Sequence, residues 1–229
     1  RMQKVYGQTL GPASLQATQG IRNQVTGLAT DLAKQLGISV DQTAGIAADL
    51  AATGLEGEKL LKGTYETTRL ATLGEIDRQT AVKATISLQN TFRLNTQQLS
   101  ESINFLNAVE NQSSLTLQDL TEAIPRAAPI VEQLGGSYKD LAAMMAAMVE
   151  AGVPATEAAN AIKSSLASII NPTKETQKTL KQWGIDIVGI ATQTKGSPVA
   201  TFKMLAEQLT KLDNLSRARA IEQIFGKFQ

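Results

Sequence analysis

The sequence predicts an all-α protein, a multi-helix module of about ten short helices. Apolar residues recur at steps of three and four, which is the spacing of one helix face. Helix start and stop residues interrupt these stripes roughly every 15 to 20 residues. The composition agrees, because 31 of the 229 residues are Ala and only 4% are aromatic. Sheets, in contrast, favour aromatic and β-branched residues.

The first apolar stripe predicts a helix that ends at Gly37, since glycine readily adopts the left-handed conformation that closes a helix. Ser39 and Gln42 then form a capping-box pair, in which each side chain satisfies a backbone N–H group of the other residue. The helix that follows is expected to turn Ile46 and Leu50 inward. The residues of the first stripe are Ile21, Val25, Leu28, Leu32 and Leu36.

Shorter elements are predicted after Gly54. A short segment contains Leu60 and Leu61, and Leu73-Gly74 marks a further helix end. Asp77 is a suitable N-cap for the next helix, because its carboxylate accepts hydrogen bonds from free backbone N–H groups. Thr96 opens another helix. Its inward positions are Leu99, Ile103 and Leu106.

Two prolines interrupt the next apolar pattern, between Leu117 and Leu134. Thr116 and Asp119 resemble a cap at its start, whereas Pro125 and Pro129 lie inside it. A proline removes one helix hydrogen bond and crowds the preceding turn. The sequence therefore predicts either a kink or two short helices here.

A methionine-rich helix follows the pair Ser137 and Asp140, which predicts another cap, and ends at Gly152. Its stripe could form an adaptable partner-binding surface, but core filling is the favoured interpretation. Thr156 is expected to cap the next helix, which Asn171-Pro172 ends. The stripe of the methionine-rich helix contains Leu141, Met144, Met145 and Met148.

The last part of the chain predicts three further elements. Trp183-Gly184 closes one helix, and residues 185–190 are rich in Ile and Val, so a short extended segment is compatible with them. Gly196-Ser197-Pro198 starts a helix, since proline is favoured in the first turn. Ser216 starts the final helix.

The absence of His and Cys excludes whole classes of chemistry. Ser-His-Asp and Cys-His nucleophiles, zinc sites with His or Cys ligands, iron–sulfur clusters and disulfides all lack their required atoms. No Gly-rich phosphate loop or Asp-rich calcium loop is present either. We therefore predict no catalytic residue, no cofactor, no metal site and no enzymatic activity.

Two charged groups remain as acid/base candidates. Glu56 and Glu58 lie beside Lys59 and Lys62, and a run of Tyr138-Lys139-Asp140 has the composition of a proton relay. The first group is flanked by glycines, which favours a solvated turn or short helix. The second lies at a predicted helix start, where capping is the better interpretation.

Charge and hydropathy indicate no strong attraction to anionic partners or membranes. The net charge is +1. Residues 174–229 hold nine basic and five acidic residues, a net of +4, which we interpret as a solvated helical face because these charges are spread along the chain. The longest apolar run, Leu141 to Val149, is shorter than the roughly 20 residues that span a bilayer.

An ordered set of motifs across residues 113–190 resembles the core region of phage tail tape measure proteins. It contains Ser113-Ser114, Leu120, Pro129-Ile130-Val131, Leu134-Gly135, Leu141-Ala142-Ala143-Met144, Glu150-Ala151-Gly152-Val153, Glu157-Ala158-Ala159, Leu166, Asn171-Pro172, Leu180 and Trp183-Gly184-Ile185-Asp186. Leu36-Gly37-Ile38-Ser39 and Asn104 to Val109 upstream, and Ile224-Phe225-Gly226 downstream, also fit. The resemblance predicts a helical connector at 1–35 and a tape measure core domain at 36–229, as a segment of a longer protein.

The resemblance implies a structural virion protein. It sets tail length during assembly, occupies the lumen of the tail tube or its tip, and is released when DNA is ejected. The implied partners are the tail tube protein, tail hub or distal tail proteins, tail assembly chaperones in the host cytoplasm, and further copies of the chain around the tail axis. No specific nucleic acid is expected. A membrane-active helical segment that aids DNA passage through the host envelope is the alternative, with membrane contact during ejection.

Overall fold

A computed structural model describes residues 12–194 and 197–225 of the chain, and this part is helical without strands. The predicted all-α class is confirmed, with twelve helices where about ten were expected. They are α1 (Pro12–Leu36), α2 (Val40–Ala52), α3 (Gly57–Leu73), α4 (Arg78–Thr91), α5 (Thr96–Glu110), α6 (Leu117–Gln133), α7 (Tyr138–Glu150), α8 (Ala155–Ile170), α9 (Lys174–Gln182), α10 (Ile187–Gln193), α11 (Pro198–Leu209) and α12 (Asn214–Phe225). Gly196, Gly226 and residues 1–11 of the predicted connector lie outside the described residues.

The described residues divide into two compact units. The first extends to Ala108 and includes Thr116–Thr121, and the second comprises Val109–Leu115 and the residues from Glu122 onward. In the first unit, α1 packs on α2 and α3, α2 on α3 and α4, and α3 on α4. In the second unit, α7 packs on α8 and α11, α8 on α10 and α12, and α9 on α12. The core of the first unit contains Ile46, Leu50, Ala51, Leu60 and Val82.

The predicted capping pairs are confirmed. Ser39 and Gln42 form a capping box at α2, and Ser137 forms the same reciprocal bonds with Asp140 at α7. The backbone N–H of Asp119 donates to the Thr116 hydroxyl at 3.1 Å. Because each cap satisfies donors that the first helical turn leaves free, these short polar patterns locate helix starts well.

Two other predicted start signals need adjustment. Thr156 was expected to cap α8, but this helix begins at Ala155 after Pro154 and has no side-chain cap. The final helix starts two residues before Ser216, because the Asp213 carboxylate accepts hydrogen bonds from the backbone N–H groups of Leu215 and Ser216. In both cases the helix begins upstream of the predicted residue.

The predicted short segment around Leu60 and Leu61 belongs to one helix, α3, of 17 residues. Gly63 lies inside this helix. A Cβ atom at position 63 would lie 3.2 Å from Leu55 Cδ2 and 3.6 Å from Leu50 Cδ1, so glycine lets these two side chains pack closely against the helix. Glycine and threonine interrupt the apolar stripe, which hides this helix from pattern analysis. Tertiary packing outweighs their weak helix propensity.

Pro125 and Pro129 do not divide the helix that contains them, so the two-helix alternative is wrong. α6 runs continuously through both prolines. They are exposed and lie four residues apart on one face, whereas Ala127, Ala128 and Val131 on the opposite side are fully buried. Each proline removes one backbone hydrogen bond, and the buried apolar face holds the helix together despite this loss.

The extended segment near 185–190 is also wrong, because α10 covers Ile187–Gln193. The Asp186 carboxylate caps this helix by accepting a hydrogen bond from the Gly189 N–H at 3.1 Å. Ile187 and Ile190 are both buried, at the three-residue spacing of a helix face. Cap and packing together outweigh the strand preference of Ile and Val.

A recurring three-residue joint connects consecutive helices. A residue with positive φ is followed by an apolar residue and then by the residue before the next helix. The apolar residue's N–H donates to a carbonyl five residues back, at 2.9 Å from Ile76 to Ala71 and from Ile185 to Leu180. This is the Schellman pattern, and it confirms Trp183-Gly184 as a helix end. The joints include Glu75-Ile76-Asp77, Arg93-Leu94-Asn95, Gly152-Val153-Pro154 and Gly184-Ile185-Asp186.

Several threonine hydroxyl groups are buried in the core of the first unit. Thr67 and Thr85, on α3 and α4, are fully buried and lie 3.0 Å apart between their Oγ1 atoms. Thr64 donates to the carbonyl of Leu60 at 2.7 Å. The buried Oγ1 atoms of Thr43 and Thr68 have no hydrogen-bond partner within the described part of the chain. A buried hydroxyl without a partner costs stability, because it has lost its bonds to water.

Replacement of Asp77 by Ala is expected to lower the free energy of unfolding by about 1 kcal/mol at pH 7. The Asp77 carboxylate accepts hydrogen bonds from the N–H groups of Gln79 and Thr80 at 2.9 and 3.1 Å. Hydrogen bonds from Thr80 hold the pKa of Asp77 below its ordinary value. The carboxylate's contribution is therefore complete above its unfolded pKa, about 3.9, and is lost as the pH falls through the lower folded pKa.

Thermal denaturation of both proteins at several pH values tests this expectation. The difference between them should shrink below about pH 4 as the native cap becomes protonated. Asp31→Ala removes an exposed carboxylate within α1 and is the matched control. A difference for Asp77→Ala that is equally large at neutral and strongly acidic pH would contradict the capping explanation.

Candidate interaction surfaces

The first acid/base candidate is a surface ion pair. Lys62 Nζ lies 2.6 Å from Glu58 Oε1, one helical turn away on α3, and both side chains are mostly exposed. The hydrogen bond from Lys62 and its positive charge lower the pKa of Glu58. Glu58 is thus held as a carboxylate in water, which agrees with the solvated-helix interpretation.

The second candidate, at the start of α7, is engaged in capping. Asp140 Oδ2 accepts hydrogen bonds from the backbone N–H and the hydroxyl of Ser137, at 2.8 and 2.7 Å. Lys139 Nζ lies 6.0 Å from the centre of the Tyr138 ring. The carboxylate therefore stabilises a helix start, as the sequence predicted.

Residues 12–194 and 197–225 contain no cluster of three or more Asp or Glu side chains arranged to hold a metal ion. Within the same residues, no helix combines the length and apolar character needed to cross a bilayer. The apolar run Leu141 to Val149 lies within α7, where Leu141 and Met145 are buried.

An apolar pocket of about 460 Å³ opens in the second unit, between α7, α8, α11 and α12. The Ser165 hydroxyl, its one polar side-chain group, bonds to the carbonyl of Ile162 at 3.2 Å. Met145 is fully buried, whereas Met144 and Met148 line the pocket. The sequence pattern found the methionine face, but not the residues of other helices that complete it. The pocket is lined by Ala143, Met144, Ala147, Met148, Ala161, Ile162, Ser165, Val199, Phe202, Leu209 and Ile221.

A more polar groove of about 440 Å³ lies in the first unit, between α1, α3 and α5. Tyr65 in its wall is 39% exposed. The neighbouring Glu66 is buried and pairs with Arg69 at 3.2 Å, and Arg69 also hydrogen-bonds Asn104 on α5. An exposed tyrosine in a groove is typical of protein contact surfaces. The groove is lined by Gln24, Leu28, Leu61, Lys62, Tyr65, Glu66, Thr96, Gln97 and Ser100.

A third surface is basic. Lys174, Lys178 and Lys181 are exposed on α9 and line a shallow concavity of about 510 Å³ with Gln177 and Gln182. The Gln177 side-chain amide donates to the carbonyl of Pro172 at 3.1 Å, which fixes its orientation. Three of the nine basic residues counted in 174–229 therefore lie together on one short helix.

The described residues thus form helical units whose surfaces carry an apolar, a polar and a basic recess. The chain belongs to the family of phage-related minor tail proteins, whose family model matches residues 26–226. This confirms the phage-tail resemblance carried by the ordered motifs.

Two relatives are tape measure proteins by name. The tape measure protein of Pneumococcus phage Dp-1 is 21% identical over 230 residues, covering 99% of this chain and 19% of the relative. The probable tape measure protein of Escherichia phage P2 is 22% identical over 226 residues, covering 94% of this chain and 27% of the relative. The chain thus spans about a fifth to a quarter of these relatives. No solved structure matches it significantly.

Proposed function

We propose that this chain is a folded segment of a tape measure protein that sets tail length during assembly, lies in the tail tube lumen or at its tip, and is released when DNA is ejected. The observation that carries the proposal is the match to two tape measure proteins over 94% or more of the chain. The family match and the helical architecture support it. Residues 1–35 would serve as the connector and 36–229 as the core domain.

The proposed partners are the tail tube protein, hub or distal tail proteins, assembly chaperones in the host cytoplasm, and further copies of the chain. The apolar pocket supports such contacts, because an open apolar recess gains free energy when an apolar side chain fills it. The groove beside Tyr65 offers a second contact surface. We propose no catalytic role, since the acid/base candidates serve as a cap and a surface pair.

The segment would act as a folded unit within the longer protein that sets tail length, which we call the ruler. One continuous helix of 201 residues would be roughly 300 Å long, at 1.5 Å per residue. The longest described helix, α1, has 25 residues. A unit of about 100 residues has a radius of gyration of about 13 Å and a diameter of about 35 Å. Each folded unit therefore adds much less to the length of the protein than the same number of residues would add as one continuous helix.

Duplication of residues 26–226 within the encoding phage tests the proposal. Electron microscopy should show tails lengthened by less than about 100 Å if both copies fold as compact units. Lengthening by roughly 300 Å would show that the segment is counted as extended helix. Tails of unchanged length, in virions that contain the duplicated protein, would overturn the ruler role of this segment.

A further inference from the structure

The lysine row of α9, defined as Lys174, Lys178 and Lys181, forms a linear array of charge. These positions are four and three residues apart, so their side chains share one helix face. With a rise of 1.5 Å per residue, the row extends about 10 Å along the helix axis. All three side chains are exposed, and the recess between them is lined by glutamine.

No acidic side chain in the described part of the chain forms an ion pair with this row. Like charges three or four residues apart on a helix face repel one another and weaken the helix. α9 has only nine residues, too few for a helix to be stable alone, and it is held through buried Thr176 and Leu180. The dipole of α9 favours the positive charge of Lys181 in the last turn, but no ion pair within the described residues neutralises the row.

We propose that the lysine row binds the phosphate backbone of double-stranded nucleic acid without reading its sequence. Duplex DNA carries one negative charge per about 1.7 Å of its axis, so a 10 Å row faces about six phosphates. Ammonium groups and the amides of Gln177 and Gln182 are suitable phosphate donors. The recess lacks the arginine and aromatic side chains typical of base recognition and stacking.

The surroundings of the row favour nucleic acid over other anionic partners. A helix that binds a membrane surface inserts its apolar face between lipids, but the apolar face of α9 is buried in the protein. Acidic peptide motifs are typically recognised by clusters of arginine, and the lining of this recess is entirely Lys and Gln. The repeating phosphates of a nucleic acid duplex can be bound by exposed lysines without an inserted apolar face and without arginine.

Binding of a fluorescent DNA duplex of about 30 base pairs to the full chain tests the proposal, measured by anisotropy between about 50 and 200 mM salt. Three neutralised phosphates predict a slope of about −2.7 for log K against log salt, so each doubling of salt weakens binding about sixfold. Lys174→Gln/Lys178→Gln/Lys181→Gln should lose at least tenfold in affinity at the lowest salt and flatten the slope. Gln retains good helix propensity, and circular dichroism verifies the fold.

Lys34→Gln/Lys59→Gln/Lys163→Gln is the matched control. It removes the same charge from exposed sites on α1, α3 and α8 and should bind like the parent protein. Unchanged affinity of the α9 variant, or an equal loss in the control, would overturn the proposal. Row-dependent binding to phosphatidylglycerol vesicles without row-dependent DNA binding would also overturn it in favour of a membrane contact. Tail length plays no part in this assay, so its result is separable from the ruler proposal.

Discussion

Gly74→Ala is expected to destabilise the first unit by about 1–3 kcal/mol, because the added methyl group has no room. A Cβ atom at position 74 would lie 2.6 Å from Ile76 Cδ1 and 2.7 Å from Leu117 Cβ. Both neighbours are buried, and a Cβ atom cannot rotate away from its own backbone. The φ of Gly74, −98°, is accessible to alanine, so the cost arises from packing alone.

Thermal denaturation should show a decrease in Tm of about 3–10 °C for Gly74→Ala. Gly27→Ala is the matched control, because residue 27 lies inside α1, is exposed, and has no atom within 4 Å of the added methyl group. That variant should gain up to about 1 kcal/mol, since alanine is the better helix former. If Gly74→Ala were as stable as the parent, the packing at this joint would differ from that described.

The double variant Thr43→Val/Thr68→Val is expected to stabilise the first unit by about 1–3 kcal/mol for each buried hydroxyl removed. Both side chains are fully buried, and both Oγ1 atoms lack a hydrogen-bond partner within the described residues. Valine has nearly the same shape as threonine and replaces the unsatisfied hydroxyl by a methyl group. Chemical denaturation should show a higher midpoint with an unchanged m-value.

Thr67→Val is the contrasting control for this pair. It removes the partner of the Thr85 hydroxyl, 3.0 Å away, and leaves that buried group unpaired. We expect a loss of about 1–3 kcal/mol from a substitution that is chemically identical to the stabilising ones. Equal effects of all three Thr→Val changes would show that threonine–valine packing, not hydroxyl pairing, governs stability here.

Helix boundaries were the part of the fold that the sequence predicted best. The cap at Asp77 and the closing glycines at 37, 135 and 184 act within a few residues of one another, so short patterns contain their full physical cause. The order of these signals along the chain also carried the correct family. Thr156 failed as a cap because α8 begins one residue earlier, after Pro154, and no side chain caps its first turn.

The candidate surfaces were harder to predict from the sequence. Met144 and Met148 were identified as one helix face, but the pocket exists only because Phe202 and Ile221 reach it from distant parts of the chain. The lysines of α9 have the spacing of one helix face. Their exposure, however, depends on which face of α9 packs against the protein, and that is the face of the buried Leu180. Such surfaces depend on contacts between helices that are far apart in sequence.

The helical class, most helix ends, the absence of His and Cys chemistry and the tail-protein family could all be predicted from the sequence, because each depends on composition, on local hydrogen bonds or on the order of motifs. Three features depend on packing between distant residues: α3 continues through Gly63, α6 continues through Pro125 and Pro129, and Ile187 and Ile190 lie on a helix. The reason is energetic. Helix propensities differ by up to about 0.7 kcal/mol among ordinary residues, and the cost is about 1 kcal/mol for glycine and about 3 kcal/mol for proline. Each large apolar side chain that a helix buries contributes about 1.5–3 kcal/mol, and each of these helices buries more than one.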